Sequence, residues 1–172
     1  QRRVAKAVNY GLGYGQSDFG LSRALDIPRD EARRYIDRYF TRFAGVATYM
    51  EQVQDEARAT MRATTILGRP LPITGITSTR YAERSGAERL ARNAPIQGSA
   101  ADILKLAMIN AQKMIEDEWP KVRMLLTVHD ELVFEVPEDQ TPRFAAAARR
   151  VMESAFSLRV PLKVDVGIAK SW

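Results

Sequence analysis

Cysteine is absent from the 172 residues, and histidine occurs once. Without cysteine there are no disulfides and no thiolate metal sites, so a metal would have to rely on carboxylates, the lone imidazole and water. A disulfide-free chain fits the cytoplasm, and a cytoplasmic location is the expectation. No apolar run approaches the roughly 20 residues needed to cross a bilayer. No signal peptide is expected, and no membrane partner is expected either. Internal repeats and low-complexity tracts are missing as well. The first residue is Gln1, with a helical pattern already running. That points to a piece of a longer polypeptide, whose missing N-terminal part is an expected partner.

The residues that are present describe an ordinary soluble composition. The hydrophobic share of 45% is enough for one core, or for two lobes sharing a chain. The formal net charge of +5 favours a polyanionic partner, although many basic proteins bind none.

Along the chain, residues 1 to about 12 read as a helix ended by Gly11, Gly13 and Gly15. Ser17 to Asp26 reads as a short second helix, closed at Ile27-Pro28. Arg29 to about Arg62 stays helical with a break near Gly45, and Ala32, Tyr35, Ile36, Tyr39 and Phe40 keep the spacing of one buried face. Leu67 to Gly75, rich in Pro and Gly, is a loop or short hairpin. A further helical stretch covers about Tyr81 to Glu118. It is interrupted near Pro95 to Ser99, where Ser99 with Asp102 makes a capping box for the second half. Two strands flank His129. A helix follows over about Thr141 to Phe156, with Pro142 in its first turn, and Val160 to Ile168 closes the chain as a strand. Helices first, then helix–strand–strand–helix–strand, define an α+β class in which an α lobe feeds an α+β lobe.

Two places carry chemistry. In RRVAKAVNYGLGYG, Arg2, Lys6, Tyr10 and Tyr14 recur every four residues and form one slowly drifting stripe, with Val4, Val8 and Leu12 on the far side. Cations of this kind hold phosphates, and the aromatic rings offer surfaces for a base or sugar. A solvated amphipathic helix would read the same way. In MLLTVHDELVFEV, the only histidine and two acids, His129-Asp130-Glu131, stand at the junction of two apolar runs. A polar turn would account for Asp130, but needs neither the histidine nor the following Glu131.

Together these residues resemble the C-terminal part of family A DNA polymerases. RRVAKAVNYGLGYG is similar to that family's motif B, R-x-x-x-K-x-x-x-[F/Y]-G-x-x-Y-G, and VHDELVFEVP to its motif C. NAPIQGSAADILKLAM is similar to the segment between them, and VPLKVDVGIAKSW to the terminal strand. The resemblance implies a hand-shaped fold: residues 1–80 would be a fingers segment, and 81–172 part of an antiparallel-sheet palm. It implies template-directed DNA synthesis from dNTPs on primer–template DNA, with two Mg²⁺ ions. Arg2 and Lys6 would grip the triphosphate, Tyr10 would stack on the nucleotide, and Tyr14 would sit by the templating base. Asp130 would bind metal, Glu131 would be an auxiliary acid, and Lys6 is counted with these two among the catalytic groups. His129 would touch the primer terminus. Arg89, Asn93 and Gln97, again four apart, would follow the primer–template minor groove, whose acceptors all base pairs share.

The resemblance has gaps. Two-metal chemistry needs converging carboxylates, and successive strand residues point to opposite faces, so Asp130 and Glu131 are not expected both to chelate the ions. The family's other metal-binding Asp belongs to a strand before motif B, so the isolated chain is expected not to polymerise. Pro70-Leu71-Pro72 replaces the usual Arg and aromatic after Gly68-Arg69, and no DNA contact is assigned there. Tyr10 is expected to weaken rejection of dideoxynucleotides. Two other functions stay open: a non-catalytic nucleic-acid-binding module, and a metal-dependent phosphohydrolase built on His129 and Asp130, which has few ligands.

Overall fold

The computed structural model describes residues 2–13 and 15–171, with the side chains of residues 2–4, 6 and 7 left out. Tyr14 and the Arg2 and Lys6 side chains, each expected at the nucleotide, lie outside the described residues. The chain divides into two compact units, residues 1–99 and 100–172.

The first unit opens with α1 (Arg2–Gly13), α2 (Asp18–Leu25), α3 (Arg29–Arg42) and α4 (Ala44–Thr60). α1 ends as its glycines predict. Gly15 donates its N–H to the carbonyl of Leu12 at 2.9 Å and Gln16 to that of Gly11 at 2.8 Å, with Gly15 at φ +74°. This pair of bonds is the Schellman closure, which places glycine in the left-handed region at no steric cost. Ser17 caps α2 by accepting from the Gly20 amide at 3.2 Å, and Asp26 ends it in the left-handed conformation. Leu12, Leu21 and Ala32 form the buried centre, with Val8, Ile36, Tyr39 and Phe40 packed around it. The expected face of α3 is therefore present except for Tyr35, which stays exposed. The break between α3 and α4 falls at Phe43, slightly ahead of Gly45.

β1 (Arg62–Thr64) and β2 (Pro70–Pro72) make a short antiparallel hairpin, beginning earlier than the Leu67 expected. It packs on α5 (Tyr81–Glu118), which presents the small residues Ala87, Ala91 and Ala94 to Ala63, Ile73 and Ile76.

α5 corrects one expectation: the helix runs through Pro95 without a break. Proline removes the donor that would bond the Ala91 carbonyl and crowds the preceding turn; the hairpin binds the turn that follows it. Ile66 donates its amide to Ser99 Oγ at 2.8 Å, Ser99 Oγ donates to the Pro95 carbonyl, and Arg69 Nη2 donates to the Gly98 carbonyl at 3.3 Å. A Cβ at Gly98 would lie 2.8 Å from Leu71 Cδ1 and from Thr65 Cγ2, so the glycine is what admits the hairpin. Ser99 is thus bound to the hairpin and to its own helix, and the expected capping box with Asp102 does not form.

The second unit contains the last turns of α5, the antiparallel pair β3 (Arg123–Val128) and β4 (Glu131–Glu135), a 3₁₀ turn and α6 (Thr141–Glu153). Met114, Ile115, Trp119, Val122, Phe144, Ala147 and Ala148 are its core, and Met124, Phe134 and Val136 bring one face of the hairpin onto it. Pro142 lies in the first turn of α6 as expected. The expected terminal strand does not form: Val160 to Ile168 belongs to neither sheet. Its apolar residues alternate as a strand requires, but a strand exists only through its ladder. Here the Val164 amide donates to a side chain instead, Glu153 Oε1, at 3.1 Å.

Candidate functional site

The hairpin of the second unit sets the lone histidine and an acid in its turn, with a second acid at the start of the next strand. Val128 pairs with Glu131, which leaves His129 and Asp130 as a two-residue turn. His129 has φ 55°, and Asp130 does not share the positive sign. A positive φ at the first turn residue is the type II′ sign pattern, whose twist matches the flanking strands and which usually takes glycine. Histidine there costs about 1–2 kcal/mol. Strain of this kind, held by surrounding structure, concentrates at functional sites. Thr127 Oγ1 steadies the turn by donating to the Glu131 carbonyl at 3.0 Å.

The turn also corrects the assumption that Asp130 and Glu131 are successive strand residues. Asp130 lies in the turn and Glu131 begins β4, so strand alternation does not set their relative directions. Both are exposed, as is His129, and among the described residues no salt bridge involves them. The solvated carboxylates offer hard oxygen donors, which suit Mg²⁺. Among the described residues no three His, Cys, Asp or Glu side chains gather into a metal site. Asp130 therefore fits as one donor of a shared site. Replacing His129 with Gly is expected to stabilise the protein by up to about 1 kcal/mol, since relief of the left-handed strain exceeds glycine's extra unfolded freedom. A urea midpoint that falls would show instead that the imidazole makes compensating contacts.

The first unit carries the remaining candidates. Tyr10 is 56% exposed on α1. Arg89, Asn93 and Gln97 share α5, and the continuity of that helix keeps them on one face. Arg89 and Gln97 are exposed, whereas Asn93 is half-buried, with Oδ1 enclosed and without a hydrogen-bond partner among the described residues.

The sequence reading did not single out Arg92 and Gln54. Arg92 sits three residues after Arg89, off the four-residue spacing, and Gln54 gives no sign beyond being a polar residue beside Val53. Gln54 is buried. Its amide is oriented so that Oε1 accepts from Arg92 Nη2 at 2.8 Å and Nε at 2.9 Å, because the opposite orientation would set donors against donors. Burial lowers the proton affinity of Arg92. Glu88 opposes that shift, and Arg58 and Arg89 reinforce it. Two cavities flank this guanidinium. One of about 350 Å³ is bordered by Leu12, Phe40, Met50 and Gln54. The other, about 450 Å³, is bordered by Ser17, Tyr81, Ser85 and Arg89.

A helical unit followed by a unit whose helix-backed antiparallel hairpin carries an acid in its turn is the α+β arrangement of a polymerase fingers and palm segment. A family model described as DNA polymerase family A matches residues 1–172, and the chain belongs to that family. It is 48% identical over 171 residues to DNA polymerase I of Bacillus caldotenax, covering 99% of this chain and 20% of the relative. It is 45% identical over 172 residues to DNA polymerase I of Pseudomonas aeruginosa, covering 100% of this chain and 19% of the relative. The chain thus spans about a fifth of the length of these relatives. Among solved structures, the polymerase domain of Pol1 from M. smegmatis, in complex with DNA primer-template and dNTP, superposes with a TM-score of 0.91 at 46% identity, covering 96% of this chain and 29% of that one. Within the described residues no helix is long and apolar enough to cross a membrane.

Proposed function

We propose that the protein to which this chain contributes extends a primer 3′-hydroxyl with dNTPs under the direction of a DNA template. The observation that carries the reading is the exposed acid in a strained hairpin turn, within a chain matched end to end by the family. Residues 1–80 would be the fingers segment, and residues 81–172 the palm segment. Arg2 and Lys6 would hold the triphosphate as a fork and a point charge, with Tyr10 stacked on the nucleotide and Tyr14 beside the templating base. Arg89, Asn93 and Gln97 would follow the minor groove of the primer–template, donating to acceptors that every base pair presents. His129 would contact the primer terminus.

Asp130 would hold Mg²⁺ jointly with a carboxylate from another part of the polymerase, and Glu131 would add negative charge beside it. When two Mg²⁺ ions are bound, they supply activation of the hydroxyl and neutralisation of charge on the departing pyrophosphate. The isolated chain, holding one of the converging acids, would not polymerise.

The test is to graft residues 1–172 into Bacillus caldotenax DNA polymerase I in place of the homologous stretch and to measure primer extension. Extension is the expected result. A graft that folds and binds primer–template yet extends nothing would reduce the chain to a binding module. In the active graft, Tyr10→Phe is expected to raise discrimination against dideoxynucleotides by at least about tenfold, because a hydroxyl that can substitute for the missing 3′ group is gone. Equal discrimination by the two forms would remove Tyr10 from that role.

A further inference from the structure

At the turn that ends α1, Gly15 faces the Arg92 side chain. Gly15 and Gln16 border both of the cavities beside Arg92, and no other residue but Arg92 is common to the two. A Cβ at Gly15 would collide with Arg92 Nη1, so the guanidinium lies directly against the glycine α carbon. Arg92 is held in turn by the two bonds to the buried Gln54 amide on α4. Gln16 completes the arrangement: its side chain is wedged between Gly11 of α1 and Gly20 of α2, and a Cβ at Gly20 would lie 2.8 Å from Gln16 Cγ.

A half-buried guanidinium with Arg58 and Arg89 nearby, only partly offset by Glu88, is an expensive way to fill this space. An apolar side chain would pack as well, but would not be anchored at a fixed height by two hydrogen bonds. The height matters because α1 is a lever. Its 12 residues extend roughly 18 Å from the turn. A tilt of about 10° at Gly15 would therefore move the far end by about 3 Å, several times the roughly 0.5 Å range of hydrogen-bond lengths.

We infer that Arg92 is a positioning residue: tied to Gln54, it buttresses the Gly15 turn and so sets how firmly α1 holds the incoming nucleotide. The inference rests on the nucleotide-binding role proposed for α1, and the experiment separates the two.

In the complete polymerase carrying this segment, Arg92→Ala is expected to raise the KM for dNTP about tenfold, with kcat and the primer–template Kd within about twofold. Amide exchange of Gly15 and Gln16, measured without nucleotide, is expected to quicken about tenfold. Arg92→Met, which refills the volume without the bonds to Gln54, is expected to rescue neither effect. Unchanged exchange in Arg92→Ala would overturn the inference. Full rescue by Arg92→Met would do so too, since packing alone would then suffice. Faster exchange with an unchanged dNTP KM would break the link to nucleotide binding. Weaker primer–template binding with a shallower salt dependence and a normal dNTP KM would place the guanidinium on nucleic acid instead. If the unmodified enzyme incorporates no nucleotide, the proposed function fails, and the exchange result still decides whether Arg92 supports the turn.

Discussion

Asp130→Asn is expected to lower nucleotide incorporation by the active graft by at least about a thousandfold, on the order of 4 kcal/mol of transition-state stabilisation. The substitution keeps the shape of the side chain and removes its charge. Because Asp130 is exposed in a two-residue turn and belongs to no salt bridge among the described residues, it contributes little to folding. Stability should stay within about 0.5 kcal/mol of the parent. A carboxylate holding a cation at developing charge acts differently, because the attraction it supplies in a water-poor site is far larger than in solvent. The two quantities are separable by single-turnover incorporation and a urea transition. Activity within about tenfold of the parent would show that Asp130 is not a metal-binding carboxylate.

The largest effect on stability is expected at Phe144→Ala, a loss of about 3–5 kcal/mol. Phe144 is 3% exposed and lies at the centre of the second unit's core. Its ring meets Trp119 edge-on at 5.4 Å and Phe134 at 5.2 Å, and each such pair contributes about 0.5–1.5 kcal/mol beyond simple burial. Phe144 therefore ties together three elements: α6 that bears it, β4 through Phe134, and the segment after α5 through Trp119. Removing the ring leaves a cavity that those elements cannot all close. The change should appear as an earlier unfolding transition monitored by Trp119 fluorescence. A loss below about 1.5 kcal/mol would mean that the site collapses readily, and that Phe134 and Trp119 support each other without it.

How much was legible in the sequence follows from how local each determinant is. The glycine end of α1, the short helix after Ser17, the hairpin around His129 and Pro142 in α6 are each determined by neighbours a few residues away, and each forms where expected. Pro95 misled because the helix continues past it, into a turn that Ile66 and Arg69 bond and that Gly98 opens to the hairpin, contacts that a single-segment reading does not bring together. Val160 to Ile168 has the alternation of a strand, but alternation fixes only faces, and the ladder depends on a distant partner. The candidate residues were likewise legible when they formed a period or a motif. The Gln54–Arg92 pair did neither, since it joins α4 to α5 through an amide whose neighbours in sequence give no hint of it.

The hairpin that carries Asp130 also sets an order of events in time. All of its pairing lies between Arg123 and Glu135, so closing it requires no distant part of the chain, and hairpins of this kind close in roughly 1–10 μs. An isolated two-stranded hairpin is only marginally stable. It gains persistence when Phe134 docks on Phe144, a residue of the following helix. The acid-bearing turn is thus among the first features a refolding chain can visit and among the later ones it can keep. A destabilised core would show itself first as intermittent loss of that turn, before the helices melt.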